Sequence, residues 1–284
     1  MEILSNISPL PFYTDISEQH HRKPYMYGQI HPVITEYDRV LPFQFIIQGG
    51  KILDDFNYDF SSDFAQVVVD RAAINSVKAH SLDGREYDIT KAMIYAGLSA
   101  QDIGNGLRLV KHKDLGPALP AVPPGLYYLS ILIGRDMVYS DVFVTCQDTE
   151  NHLKLEYYNA YNLEMAKGYI DFSGDFRFRV YLDAELGKPE YLFEEEATSR
   201  GGYTFIESQI SKKTYRFVCP GTESLCDALR LVRLCTNKTL TSRHKSYELL
   251  TFSMNPSWED YGDVASIECE FDVDNIIQNI GNLK

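Results

Sequence analysis

The sequence predicts a mainly β protein of two β-sandwich-like domains, with one helix packed on the second and an extended N-terminal arm. Three observations carry that expectation. From Phe176 to Asp183 apolar and polar residues alternate without a slip. Strand side chains point to opposite faces with period two, so Phe176, Phe178, Val180 and Leu182 share a buried face while Arg177, Arg179 and Asp183 turn out. The chain also carries 20 Tyr and 15 Phe in 284 residues, and aromatic enrichment suits a pleated, half-buried surface better than a helix interior. Finally, from residue 41 onward short apolar runs recur between Gly, Pro, Asn and Asp residues, the pattern of strand after strand.

Residues 1–40 differ from the rest. Pro9, Pro11, Pro24 and Pro32, the polar run Glu18 to Lys23 and isolated aromatics give no sustained period, so the segment reads as extended. Its Ile, Leu and aromatic anchors call for a surface, its own body's or a neighbour's; the other reading is a simple leader to the first strand. Residues 41–147 read as the first β-sandwich. Its strands are Leu41 to Ile47, Gln66 to Asp70, Ser76 to His80, Gly106 to Val110, Leu126 to Ile133 and Met137 to Val144. Asp83-Gly84 and Gly134-Arg135-Asp136 supply hairpin turns. Thr90 to Ala96 reads as a single helical turn at most.

Residues 148–284 read as the second sandwich, with strands at Phe176 to Leu182, Tyr203 to Ile206, Thr214 to Val218, Tyr247 to Met254 and Ala265 to Val273. One helix near 222–236 follows Pro220-Gly221-Thr222, with Leu225, Ala228, Leu229, Val232 and Cys235 at helical spacing and Arg230 and Arg233 outside. The end, Asp274 to Ile280, reads as strand or as a frayed turn.

Composition bounds the function. With 27 Lys and Arg against 40 Asp and Glu the net charge is −13, and the basic residues are scattered. No specific nucleic-acid binding is expected, because that binding is driven by neutralised phosphates. Arg243-His244-Lys245, and Lys212-Lys213 with Arg216, read as solvated strand ends or turns. No run approaches the ~20 apolar residues that span a bilayer, and Met1 to Pro9 lacks the blocks of a signal peptide, so neither membrane insertion nor export by that route is expected. Five cysteines, Cys146, Cys219, Cys226, Cys235 and Cys269, are odd in number and widely spaced, which suits buried free thiols.

The search for chemistry returns no candidate catalytic, cofactor-binding or metal residue, and no cofactor is expected. Gly104-Asn105-Gly106 is a turn before a strand, not a phosphate loop before a helix. Seven histidines include no helical His-x-x-x-His pair. A carbohydrate-active enzyme on a β-sandwich would need two carboxylates facing across a cleft, and Glu190, Glu194 to Glu196, Asp171, Asp175, Glu268 and Glu270 are the candidates. Acidic alternation on a strand is ordinarily the solvated face of its sheet. Trp258, the single tryptophan, would serve as a carbohydrate platform if exposed with Tyr261; as one large aromatic near a turn it is read as a packed anchor of its loop.

Several strings taken in order resemble a family. They are Phe176 to Leu182, Gly187-Lys188-Pro189-Glu190-Tyr191 with Glu194-Glu195-Glu196, Lys213 to Phe217, Glu223 to Leu229 and Trp258 to Ala265. Leu41 to Gln44, Gly125 to Tyr128 and Tyr139 to Phe143 extend the likeness to the first half. In pattern and order the chain resembles structural virion proteins encoded among tail or baseplate genes of tailed phages and prophages of the Bacteroidetes group. The resemblance implies a non-enzymatic tail component (ring, tube, hub or baseplate), made in the host bacterial cytoplasm and located in the virion. Its implied partners are copies of itself in a ring or tube and other phage tail proteins. An acidic body would suit a tail lumen by keeping DNA from sticking. The alternative is a receptor- or glycan-binding β-sandwich module using exposed Tyr and Trp258.

Overall fold

The computed structural model describes residues 2–5, 7–14, 33–48, 74–134, 136–258 and 264–279. They form a mainly β protein of several sheets with two helices. The strand expected at Gln66 to Asp70, the pair His20-His21 and Tyr261 lie outside the described residues.

A sheet of eleven strands runs through both halves of the chain. From one edge its order is Lys245–Glu248, Asn237–Ser242, Leu153–Tyr158, Phe178–Leu182, Val33–Glu36, Phe143–Cys146, Gly125–Ile133, Asp136–Ser140 and Phe12–Tyr13, while Ile74–Ser81 joins Gly125–Ile133 and carries Glu86–Asp88. Two four-stranded sheets pack on it. The first is Glu2–Ser5, Phe43–Gln48, Leu107–His112 and Ser99–Gly104; the second is Glu190–Arg200, Tyr203–Gly221, Ala265–Asn279 and Ser253–Trp258.

The interior divides accordingly. One core joins Phe43, Phe45, Val110 and Ala100 to Val77, Leu129, Ile131 and Phe143, and the short helix Thr90–Tyr95 adds Met93. The other joins Leu155, Phe178, Val180 and Leu240 to Phe217, Cys219, Ile267, Cys269 and Phe271. Over it lies the helix Glu223–Leu234, whose buried stripe is Cys226, Ala228, Leu229, Leu231 and Val232, with Arg230 and Arg233 exposed. That stripe is what the spacing of its apolar residues dictates.

The described parts of residues 1–40 are three strands interrupted by bends and a turn, and they lie on their own chain. Glu2–Ser5 pairs with Phe43–Gln48, and Phe12 sits in the first core with its ring 4.5 Å from Phe43 and 4.7 Å from Phe45. Val33–Glu36 runs parallel to Phe143–Cys146 on one side and meets Phe178–Leu182 at Tyr181 on the other, so it links the two halves.

The alternating stretch holds as read on its inner face: Phe176, Phe178, Val180 and Leu182 are all buried. Its outer face is not wholly solvent, because the first half covers part of it with charge. Arg179 reaches Asp114 at 2.6 Å and Glu156 at 3.0 Å, Arg39 reaches Asp114 at 3.0 Å, and the Tyr181 hydroxyl donates to Glu36. Nearby, Lys111 is ion-paired with Asp171, whose backbone exchanges hydrogen bonds with the Gln44 amide. Burial, partly offset by Arg179 and Arg39, pushes the Asp114 carboxyl up to about 6. Burial also acts on Glu156, but there Arg179 and Lys154 win and hold it below the usual range.

Two strand expectations change. Tyr247 to Met254 is not one strand: Lys245–Glu248 belongs to the central sheet and Ser253–Trp258 to the second outer sheet, since Leu249 and Phe252 turn into the core between them. Tyr203 to Ile206 and Thr214 to Val218 are instead parts of one 19-residue strand, Tyr203–Gly221.

Candidate functional site: a projecting arm and the cleft at its base

The second outer sheet outgrows its core. Glu190–Arg200 and Tyr203–Gly221 form a hairpin closed by Gly201 and Gly202, both at positive φ, and Ala265–Asn279 pairs along its other side as far as Ser208. The core ends at Tyr215, which stacks on Phe271 at 5.7 Å. From Thr214 to the turn is about 40 Å at ~3.3 Å per residue. Among the described side chains from 190 to 213 and from 274 to 277, none is buried.

The arm continues the core's apolar face into the open. Beyond Tyr215 on that face, Lys213 stands between Tyr191 and Asp274, and Ser211 between Phe193 and Ile276. Tyr191 is 59 %, Phe193 67 % and Ile276 71 % exposed. The Lys213 ammonium lies 5.8 Å from the centre of the Tyr191 ring and 5.6 Å from that of Tyr215, bridging the buried and open parts of the strip. On the opposite face Leu192 and Ile277 are exposed beside the Lys212–Glu194 ion pair.

The carboxylates considered for catalysis are dispersed by this geometry. Glu190 and Glu270 both bind Arg216, at 3.4 and 2.6 Å; Glu195 accepts from Gln209 and Glu196 from Ser208. Asp171 is held by Lys111 and Ser173 and, despite its burial, stays below the usual carboxylate range. Cys219, Cys226, Cys235 and Cys269 are buried in the second core. Burial pushes the Cys226 thiol up to about 11 and that of Cys235 to about 12, the wrong direction for a nucleophile. Trp258, expected to be packed, is 44 % exposed at the end of an edge strand. Among the described residues no three His, Cys, Asp or Glu side chains converge as a metal site would need.

At the base of the arm lies a cleft of about 500 Å³ that the sequence did not reveal. Three segments wall it: Glu150 to Leu153, Ala184 to Pro189, and the hairpin residues Ser242, Arg243 and Tyr247, with Tyr215 contributing from the core. Gly187 fixes the middle segment. Its N–H donates to the Arg216 carbonyl at 2.9 Å, and a Cβ there would stand 2.8 Å from that oxygen, so only glycine fits. Tyr215 and Tyr247 meet edge to face at 5.0 Å. Arg243 is at φ 53° in a two-residue hairpin turn, an uncommon conformation for a residue with a Cβ.

Comparison of the chain with protein-family models, curated proteins and solved structures returns no match.

Proposed function

We propose that the chain is a non-enzymatic structural subunit of a bacteriophage virion, a tail component that assembles with further copies of itself. The observation that supports this reading is the arm. A strip of Tyr191, Phe193 and Ile276 held open on a three-stranded support is surface that a lone subunit has no reason to build, and exposed apolar patches mark interaction sites.

Its occupant is a second copy, docked heterologously. Glu190–Arg200 is an edge strand, and antiparallel pairing of that edge with itself across a two-fold axis would set Glu194, Glu195 and Glu196 against their own counterparts, which like-charge repulsion opposes. The other edge, Ser253–Trp258, contains Pro256, which lacks the N–H that ladder pairing uses. Both edges therefore resist symmetric addition, leaving face contact against a different surface of the next copy. Repeated around an axis, such contacts close rings. The resemblance to tail-region proteins supplies the kind of assembly.

Light scattering of the purified chain over a concentration series tests the assembly. We expect an oligomer of fixed stoichiometry, and a monomer with unchanged circular dichroism for the double variant Phe193→Glu, Ile276→Glu. A wild-type chain that stays monomeric at every soluble concentration overturns self-assembly. The virion assignment has its own test, mass spectrometry of purified particles, and it falls if the chain is missing from them.

A further inference from the structure

We infer that the apolar face of the arm receives residues 19–32 of a second copy, with Lys23, Tyr25 and Tyr27 set against Glu195, Phe193 and Tyr191. This rests on the self-assembly proposed above and names the segment that carries it. Charge selects that segment. The edge strand Glu190–Arg200 holds four glutamates against one arginine. Between Glu18 and Glu36 the same chain has no Asp or Glu, while Arg22 and Lys23 are basic and Tyr25, Met26, Tyr27 and Ile30 are apolar. Opposite potentials across a contact steer the partners and fix their register. Another basic run, Arg230 to Lys245, keeps its apolar Leu231, Val232 and Leu240 inside its own core.

Spacing gives the match its direction. On the arm, Tyr191, Phe193 and Glu195 are two apart and share one face, opposite Lys213, Ser211 and Gln209 in the ladder. All three are exposed, and Ile276 widens the apolar part from the strand beyond. Lys23, Tyr25 and Tyr27 are also two apart, and in an extended run such residues share one side. Set antiparallel, ring meets ring twice and Lys23 meets Glu195, which accepts from the neutral Gln209 amide at 2.7 Å. The parallel setting would bring Lys23 over Tyr191, where the Lys213 ammonium already lies 5.8 Å from the ring centre, and like charge opposes it.

The length of chain permits the reach. The segment lies outside the described residues, but both of its ends are placed: Thr14 follows the edge strand Phe12–Tyr13, and Val33 opens the strand Val33–Glu36. Those two strands stand four places apart in the central sheet, about 19 Å at ~4.8 Å per place. From Thr14 to Val33 the chain can extend to about 60 Å. The surplus over that separation lets residues 23–27 meet a neighbour's arm while both anchors stay in their own sheet.

The test mixes two full-length variants. One changes the segment (Arg22→Glu, Lys23→Glu, Tyr25→Ser, Tyr27→Ser), and the other changes the arm (Phe193→Glu, Ile276→Glu). We expect each alone to be monomeric by light scattering with unchanged circular dichroism. Their mixture should give a 1:1 dimer that grows no further, because one intact arm then meets one intact segment. A synthetic peptide of residues 19–32, titrated into the segment variant, should shift NMR signals of the arm, and adding Glu195→Lys should weaken its binding about tenfold, the loss of one charge-assisted contact. The inference is overturned if the segment variant assembles as the wild type does, if the mixture stays monomeric (the result expected were the segment to lie on its own arm), or if the peptide leaves the arm signals in place. A wild-type chain that never assembles overturns self-assembly and this inference together, whereas an assembling segment variant overturns the choice of segment alone.

Discussion

His112 offers the sharpest test of the first core. Its ring is fully buried, donates from Nε2 to the Val40 carbonyl at 3.2 Å, lies 5.3 Å from the Phe43 ring, and has no partner for Nδ1 among the described residues. Burial pulls its pKa from 6.5 down to about 4, against the smaller opposing effect of the Val40 bond. The folded protein thus keeps the imidazole neutral where the unfolded chain protonates it. Stability from this group is fully present above pH 6.5 and drains away as pH falls toward 4. With those two values, linkage gives a loss of about 2 kcal/mol between pH 7.5 and pH 5, and about 3 kcal/mol by pH 4. Asp114 acts with the opposite sign, since its carboxyl is raised to about 6 and so favours the folded state as pH falls through that range. Wild-type stability alone would blend the two. His112→Gln keeps an amide donor for Val40 but does not titrate, so the wild-type minus variant difference isolates the imidazole. Urea unfolding at pH 7.5 and pH 5, followed by far-ultraviolet circular dichroism, should show that difference moving by about 2 kcal/mol in favour of the variant. A difference independent of pH would refute the assignment of a neutral buried imidazole.

Three other perturbations probe separate parts of the fold. Asp114→Asn keeps a residue that accepts the φ of 52° at this position and removes the carboxylate shared by Arg39 and Arg179, which retain Glu36 and Glu156; we expect a loss of about 1 kcal/mol in urea unfolding. Phe12→Ala empties the space between Phe43 and Phe45, which should cost about 3–5 kcal/mol by the same measurement and would show that the N-terminal segment is integral to the body. Gly187→Ala drives a Cβ into the Arg216 carbonyl, so a loss of about 1–3 kcal/mol and altered NMR signals at the cleft are expected.

Much of the β architecture was legible because period-two alternation is local. Phe176 to Leu182 announced its inner face, Leu126 to Ile133 and its Gly134 turn announced a hairpin, and the apolar stripe from Leu225 to Cys235 announced the helix. The destination of an outer face is not local. Arg179 reads as solvated, yet Asp114, 65 positions away, meets it. The arm escaped for a related reason: Tyr191, Leu192 and Phe193 form a short apolar run like that of a buried strand, and nothing in that run says where the core stops. The cleft was least readable. Glu150, Glu185 and Arg243 come from three separate segments, and Arg243 looked like an ordinary turn residue because its φ is invisible in the sequence.

The position of Val33–Glu36 bears on how the chain can be cut. This strand leaves the ribosome before either of its neighbours, then waits for Phe143–Cys146 and for Tyr181 before it can be clasped from both sides. Folding so arranged is rich in distant contacts and correspondingly slow. A fragment that starts after residue 147 would lack its keystone. Phe178–Leu182 would then become a bare margin, ready to recruit a stray strand, so soluble expression of the C-terminal half calls for supplying residues 33–36 in trans or by permutation.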